Sequence, residues 1–205
     1  MGFYSRHILP KLIDKACGQP PMQALRSRYV TRATGRVLEI GIGSGLNLPH
    51  YSADVASITG LDPAAELTVM AAARAGDAAA PVDLLQVSGE EIPADDASYD
   101  TLVCTWTLCS IPDVYGALSE MHRVLKPGGS FFFIEHGQSP DEDVHRWQRR
   151  LEPFWKKIGG GCHLTRKADD LIRNAGFLLP ELEAGYEPGP RFAAYMTHGV
   201  AVRPT

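Results

Sequence analysis

The chain has 205 residues, with 24 acidic and 20 basic side chains and a net charge of -4 at pH 7. This length suits a single domain, residues 1–205, with a sizeable core. The slight acidic excess leaves no basic footprint, so we expect a small-molecule partner and no nucleic acid. No apolar run reaches the roughly 18 to 20 residues of a transmembrane helix, and no secretory signal opens the chain, so we expect a cytoplasmic location.

Two helices are predicted at the start of the chain. Residues 3–17 carry an apolar stripe that includes Ile8 and Leu12, with charged residues elsewhere and Pro10 as an interruption, and residues 22–32 form the second helix. We expect residues 1–33 to form a helical lid on the domain. The alternative is an amphipathic helix at a membrane surface, so weak peripheral membrane contact stays open, as does the oligomeric state.

From residue 36 onward, strand and helix patterns alternate, which predicts an α/β fold with a mostly parallel, Rossmann-like sheet and helices on both faces. The predicted strands are residues 37–40, 55–61, 82–87, 101–105, 131–135, 176–183 and 191–203. The predicted helices are residues 64–75, 114–124, 141–158 and 165–175, with Thr165 as the N-cap of the last.

A glycine-rich turn follows the first strand, in the sequence V-L-E-I-G-I-G-S-G-L-N from Val37 to Asn47. Such a turn brings backbone N–H groups against a ligand. A dinucleotide fingerprint wants a third glycine where Leu46 stands, and Glu39 just before the loop would repel a pyrophosphate. A ligand with a cationic sulfonium and amino group, S-adenosylmethionine, suits the loop better. An ordinary tight turn is the remaining alternative.

Asp62 lies 21 residues after Gly41, at the end of the second predicted strand. A carboxylate at this place is suited to bind the two hydroxyls of a ribose. The alternative is that Asp62 caps the helix predicted to begin at Pro63.

Residues 37–134 resemble a class I S-adenosylmethionine-dependent methyltransferase. Over roughly residues 36–203 the chain is similar to one branch, the methyltransferase-like thiol S-methyltransferases. The segments that carry this similarity are Glu135-His136, residues 104–110, the turn 126–129 and Gly161-Cys162-His163-Leu164-Thr165-Arg166. The resemblance implies seven strands with the last one antiparallel, and S-adenosyl-L-methionine as cofactor. The expected cofactor-binding residues are Glu39, Gly41, Gly43, Ser44, Gly45, Asn47, Asp62, Pro63, Ser88, Gly89, Glu90 and Thr105.

Two histidines, His136 and His163, are the candidates for assisting catalysis, because both are expected near the carboxyl edge of the sheet. Trp106, Trp155 and Cys162 are the candidates for the substrate pocket.

We expect no metal site and free thiols, because the cysteines show no close metal-binding spacing. A zinc site made of Cys104, Cys109, Cys162 and His163 is the alternative that this spacing disfavours.

The expected function is methyl transfer to a small molecule, most simply a thiol. The alternatives are a C-, O- or N-methyltransferase of a quinone, lipid headgroup or arsenite, and a non-catalytic module that binds the cofactor. Animal members of the resembling branch carry an apolar membrane anchor before the glycine loop, whereas here residues 3–17 are a charged helix broken by Pro10.

Overall fold

A seven-stranded β-sheet forms the centre of the computed structural model, which describes residues 2–205. The strands are β1 Gly35–Ile40, β2 Val55–Leu61, β3 Val82–Leu85, β4 Tyr99–Thr105, β5 Leu125–His136, β6 Leu178–Tyr186 and β7 Tyr195–Val202. Their order is β3-β2-β1-β4-β5-β7-β6, and β7 runs antiparallel to both of its neighbours. The prediction of a mostly parallel seven-stranded sheet with an antiparallel last strand is therefore confirmed.

Seven α-helices accompany the sheet, and a π-helical turn, Tyr4–Ile8, precedes the first. They are α1 Leu9–Cys17, α2 Pro20–Tyr29, α3 Ala65–Arg74, α4 Val114–Val124, α5 Glu142–Ile158, α6 Ala168–Asn174 and α7 Arg191–Ala194. In the part of the chain described, no helix is long and apolar enough to cross a membrane. Met1, the first residue of the predicted lid, lies outside the described residues.

Alternate residues of β1 point into two buried apolar clusters on opposite faces of the sheet. Leu38 packs in the cluster that contains residues of α4 and α6, whereas Val37 packs in the cluster that contains residues of α2 and α3. Both faces of this central strand are therefore covered, which explains why its sequence is an almost continuous apolar run.

Several predicted boundaries differ from those of the structure, and three of the differences have a clear structural reason. β5 begins at Leu125 instead of residue 131, because Leu125 already pairs with Tyr99 at the start of β4, before an irregularity in the register of the two strands. Helix α6 begins at Ala168, and Thr165 is not its N-cap because its backbone N–H and hydroxyl both donate to Glu152. The last strand begins at Tyr195, since the residues before it form the short helix α7.

The order of the strands also indicates where a ligand-binding crevice lies. β1 lies between β2 and β4, and the chain leaves it toward β2 on one side and later returns to β4 on the other. At such a reversal the loops after neighbouring parallel strands separate and open a crevice at their carboxyl ends. The glycine-rich turn and Asp62 both follow strands at this edge.

Candidate active site

A cavity of about 290 Å³ lies at the carboxyl ends of β1, β2 and β4. Several of the predicted site residues line it: Gly41, Gly43, Ser44, Asn47, Asp62, Pro63, Ser88, Gly89, Thr105 and Trp106. Its other walls come from the N-terminal helices, from Arg26 on α2, and from the turn after α5 at Gly159 and Gly160. The predicted cofactor residues and the N-terminal segment thus meet around one space.

Glycine is needed at Gly41 and at Gly43 for different structural reasons. Gly41 has a φ of +68°, and a Cβ there would collide with the side chain of Thr107. Gly43 has a φ of +56°, and the nearest atom to its missing Cβ, the Gly41 carbonyl oxygen, is 3.9 Å away. A side chain at Gly43 would therefore occupy the cavity, so this glycine lets a ligand approach the backbone. Gly45 does not line the cavity.

Asp62 lines the cavity and is 7% exposed. Its Oδ2 accepts a hydrogen bond from the Gly43 backbone N–H at 3.0 Å, and its Oδ1 accepts one from the Ala64 N–H at 2.8 Å. Burial raises the pKa of this carboxyl above its usual value, while the two N–H donors oppose the shift. Each oxygen keeps a further lone pair, which leaves the carboxylate able to accept from a ligand hydroxyl. Asp62 thus ties the two loops together and also turns toward the ligand space.

Glu39 stands behind the turn and does not line the cavity. It is 1% exposed, and its two oxygens accept hydrogen bonds from Asn47 Nδ2 at 2.8 Å and from the Tyr51 hydroxyl at 2.6 Å. Burial raises its pKa to about 7. Glu39 therefore affects the cavity through Asn47, which it holds in place and which lines the cavity.

Arg26, on α2, continues this chain of hydrogen bonds and was not predicted from the sequence. Its Nε donates to Asn47 Oδ1 at 2.8 Å, which fixes the amide with its NH2 toward Glu39. A second nitrogen donates to the Cys17 carbonyl at 2.6 Å, and the guanidinium lies 4.6 Å from the centre of the Trp106 ring. Arg26 is 3% exposed and lines the cavity, so it places a positive charge at the wall.

A signal for Arg26 was present in the sequence. The buried apolar residues of α2 include Met22, Leu25 and Tyr29, and position 26 falls on the same helical stripe. By contrast, Arg28 is about half exposed and pairs with Glu183. An arginine on an apolar stripe indicates either a buried charge pair or a ligand contact.

Helix α1 is fastened to the glycine turn by Asp14. Its carboxylate accepts from the Ser44 hydroxyl at 2.6 Å and from Arg74 at 2.7 Å, and Arg74 also donates to the Ser44 carbonyl. The hydrogen bond from Arg74 lowers the pKa of Asp14. Leu9 and Ile13 of the same helix line the cavity, so α1 forms part of its wall.

Other predicted site residues lie outside the cavity lining: Gly45, Glu90, His136, His163, Trp155 and Cys162. Glu90 accepts a hydrogen bond from the backbone N–H of Asp113 at 2.6 Å. His163 Nδ1 lies 3.3 Å from Glu152, and burial lowers its pKa. Neither of the two predicted histidines therefore lines this cavity.

His136 instead belongs to a cluster with Cys109 and Cys162. Its Nε2 lies 2.8 Å from Cys162 Sγ, and one ligand atom from each of the three residues lies within 4.8 Å of the others. The four residues of the disfavoured zinc site are not gathered in the described part of the chain. Cys104 contacts Glu135 at 3.7 Å, and His163 contacts Glu152.

Glu135, next to His136, organises the loop after β4. It is 1% exposed and accepts hydrogen bonds from the backbone N–H groups of Thr107 and Leu108 at 2.8 and 2.9 Å. Burial raises its pKa to about 8. Trp106, just before these donors, adopts a φ of +52°, which is uncommon for a bulky residue. The buried carboxyl thus holds a strained turn whose tryptophan forms a wall of the cavity.

Comparison with known proteins agrees with this geometry. Residues 38–133 match the family described as "Methyltransferase domain". The chain is 36% identical over 167 residues to human thiol S-methyltransferase TMT1B, covering 78% of this chain and 67% of that protein. It is 48% identical over 96 residues to the rat protein of the same name, covering 46% of this chain and 38% of that one. The matched segment thus falls short of the relatives' full length.

The fold has solved counterparts. A SAM-dependent methyltransferase of Methanosarcina mazei superposes with a TM-score of 0.66 and 20% identity, covering 91% of this chain and 98% of that one. At this identity the likeness concerns the fold alone. The family match and the human relative together show the family. The chain belongs to the S-adenosylmethionine-dependent methyltransferases, and S-adenosylmethionine is its cofactor.

Proposed function

We propose that the protein transfers a methyl group from S-adenosylmethionine to a small thiol. The observation that carries this proposal is the set of ionisable side chains at the cavity wall: neither His136 nor His163 lines the cavity, so no histidine is placed there as a general base. The human and rat relatives are named thiol S-methyltransferases, which agrees with the proposal.

Asp62 and Arg26 are the residues we assign to the two ends of the cofactor. The Asp62 carboxylate has free lone pairs for the ribose hydroxyls. The Arg26 guanidinium already gives two hydrogen bonds and retains further N–H donors, which suit the carboxylate of the methionine end. In this scheme Glu39 is a positioning residue, because it orients Asn47, which in turn orients Arg26.

The acceptor follows from what the cavity lacks. Among the described lining residues, the titratable side chains are Cys17, Arg26 and Asp62, and we assign Asp62 to the ribose. An alcohol or phenol would need a general base there, whereas a thiol is already a few per cent thiolate at neutral pH and intrinsically very nucleophilic. A thiol is therefore the acceptor that this site can activate without a histidine.

When bound, S-adenosylmethionine supplies an electrophilic methyl group on a sulfonium. The task left to the protein is alignment, which can contribute roughly 7 to 11 kcal/mol where the geometry is near ideal. The rigid parts available for it are the glycine turn, Asp62 and the wall formed by Trp106. The apolar residues Leu9 and Ile13 exclude water from the same space.

The test compares acceptors that share one carbon skeleton and differ only in the nucleophile: an aryl thiol, the matching phenol and the matching aniline, with arsenite as a further arm. Radiolabelled S-adenosylmethionine reports transfer. We expect turnover of the thiol with a kcat/KM that rises with pH as the thiol ionises. Turnover of the phenol, aniline or arsenite without the thiol would refute the thiol assignment and leave the cofactor assignment intact.

The proposal extends to the surroundings of the enzyme. The four cysteines are free, which agrees with the reducing cytoplasm as its location. Phe3 and Leu12 at the N-terminus and Phe154 on α5 are exposed, which agrees with weak contact to a membrane surface. Co-sedimentation with lipid vesicles would test this contact, and equal sedimentation of a Leu12→Ser variant would count against it.

A further inference from the structure

The side chains of Cys109, His136 and Cys162 form a cluster that does not line the cavity. Cys109 follows β4, His136 ends β5, and Cys162 follows the glycines after α5, so three separate elements meet at one point. Both cysteines are buried, and their sulfur atoms and one imidazole nitrogen lie within 4.8 Å of one another. This spacing allows all three atoms to reach a single ion.

The polar atoms of the cluster are not fully hydrogen-bonded by the protein groups around them. His136 Nδ1 is buried and has no hydrogen-bond partner within the described chain, while Nε2 faces the Cys162 sulfur. Trp155 Nε1 donates to the same sulfur at 3.2 Å. A thiol is only a weak donor and acceptor, so the protein gives this buried sulfur no strong hydrogen-bond partner.

We propose that Cys109, Cys162 and His136 bind one Zn²⁺ ion. Two thiolates and one imidazole are ligands that Zn²⁺ prefers, and in this arrangement the thiolates balance the charge of the ion. Binding releases the protons of both thiols to solvent, and the neutral imidazole coordinates through one ring nitrogen.

The fourth position of a tetrahedral ion is not supplied by a fourth cysteine or histidine in the described chain. Ser110 lies beside the cluster, with its hydroxyl 3.4 Å from Cys109 Sγ, and it lines the cavity. The fourth position is therefore left to a ligand that is not a cysteine or histidine, on the side of the cluster where Ser110 lies. Three protein ligands and one exchangeable position is the pattern of an open zinc site.

The ion would join two walls of the cavity. Cys162 follows Gly159 and Gly160, which line the cavity, and Cys109 follows the strained turn at Trp106. A bond from each sulfur to one ion fixes the turn after α5 against the turn after β4. This inference concerns a site of its own and does not depend on which acceptor is methylated.

The experiment uses the full chain, reduced, freed of metal with a chelator and then titrated with Co²⁺ as a coloured substitute for Zn²⁺. We expect one Co²⁺ per chain, an intense thiolate-to-metal charge-transfer absorption, visible bands of a tetrahedral ion, and displacement by Zn²⁺. Zn²⁺ should also raise the midpoint of thermal unfolding. No charge-transfer absorption in the reduced wild-type protein would overturn the proposal without recourse to any variant.

Variants then locate the site. Cys109→Ser, Cys162→Ser and His136→Gln should each weaken binding at least tenfold, because each removes a ligand. Cys17→Ser and His163→Gln are the matched controls and should bind as the wild type does. Circular dichroism checks that each variant folds. An unchanged Co²⁺ affinity in Cys109→Ser, or a loss of binding in Cys17→Ser, would place the metal elsewhere and refute the assignment.

Discussion

Arg26 offers the sharpest test of how the cavity holds its cofactor. Arg26→Met keeps much of the side chain's length and apolar contact but removes the charge and the donors. It leaves Asn47 Oδ1 and the Cys17 carbonyl without the donors seen at 2.8 and 2.6 Å. A hydrogen bond to a charged group contributes about 1.5 to 3 kcal/mol, which is roughly 10 to 150-fold in a dissociation constant.

The assay is calorimetric titration with two ligands. S-adenosylhomocysteine carries the carboxylate that we assign to Arg26, whereas 5′-methylthioadenosine shares the adenosine part and lacks the carboxylate. We expect Arg26→Met to weaken the first by roughly 10 to 150-fold and to leave the second within about threefold of wild type. Arg26→Lys retains the charge without the planar fork and should be intermediate.

The matched control is Arg28→Met on the same helix. Arg28 pairs with Glu183 at the surface, so this change should leave both dissociation constants unaltered. Equal weakening of the two ligands by Arg26→Met would show that Arg26 acts by holding the fold and not by binding the carboxylate. Unchanged binding of both would remove Arg26 from the cofactor site altogether.

Three further predictions concern single residues. Asp62→Asn should weaken S-adenosylhomocysteine binding by roughly 10 to 100-fold in the same titration, because it removes a charged acceptor. Asp83, an exposed residue of β3, is the control, and Asp83→Asn should leave binding unchanged. Equal effects of the two changes would refute the ribose assignment. Because burial raises the Glu39 pKa from 4.5 to about 7, the folded state binds the extra proton, and this residue's contribution lowers the free energy of unfolding by about 3 kcal/mol as pH rises from below 4.5 to above 7. Urea unfolding of Glu39→Gln should lack this fall, and identical pH profiles for variant and wild type would contradict it. Met121→Ala should cost about 2 to 5 kcal/mol of unfolding free energy, whereas Tyr115→Ala, at an exposed position of the same helix α4, should cost little; similar losses in urea unfolding would mean that α4 packs differently.

Local sequence was enough to predict where several of the expected site residues lie. Gly41, Gly43 and Asp62 each follow a strand by one to three residues, and the ends of neighbouring parallel strands share one edge of the sheet. Once the strands are recognised, the meeting of these residues follows. The sequence therefore predicted the edge of the sheet at which these residues line a cavity.

The parts that were missed depend on distant contacts. Arg26 is buried because α2 packs over the sheet, and the prediction treated this segment only as a lid helix. Cys109, His136 and Cys162 are separated by 26 or 27 residues, so no short spacing marks them, and the predicted zinc alternative included His163 in place of His136. The start of β5 was missed because Lys126-Pro127-Gly128-Gly129 has turn composition, yet the strand extends through it.

The position of β7 affects how the chain can fold during its synthesis. This strand is made after β6 but lies between β5 and β6, so it separates two strands that are already available for pairing. On the ribosome, β6 therefore has no neighbour in the final sheet until residues 195–202 have emerged. Until then the free edge of β5 and the unpaired β6 are open to incorrect pairing with each other or with another chain. Closure of the sheet is thus a late event, and deleting β7 would leave the first five strands with an exposed edge and detach the sixth.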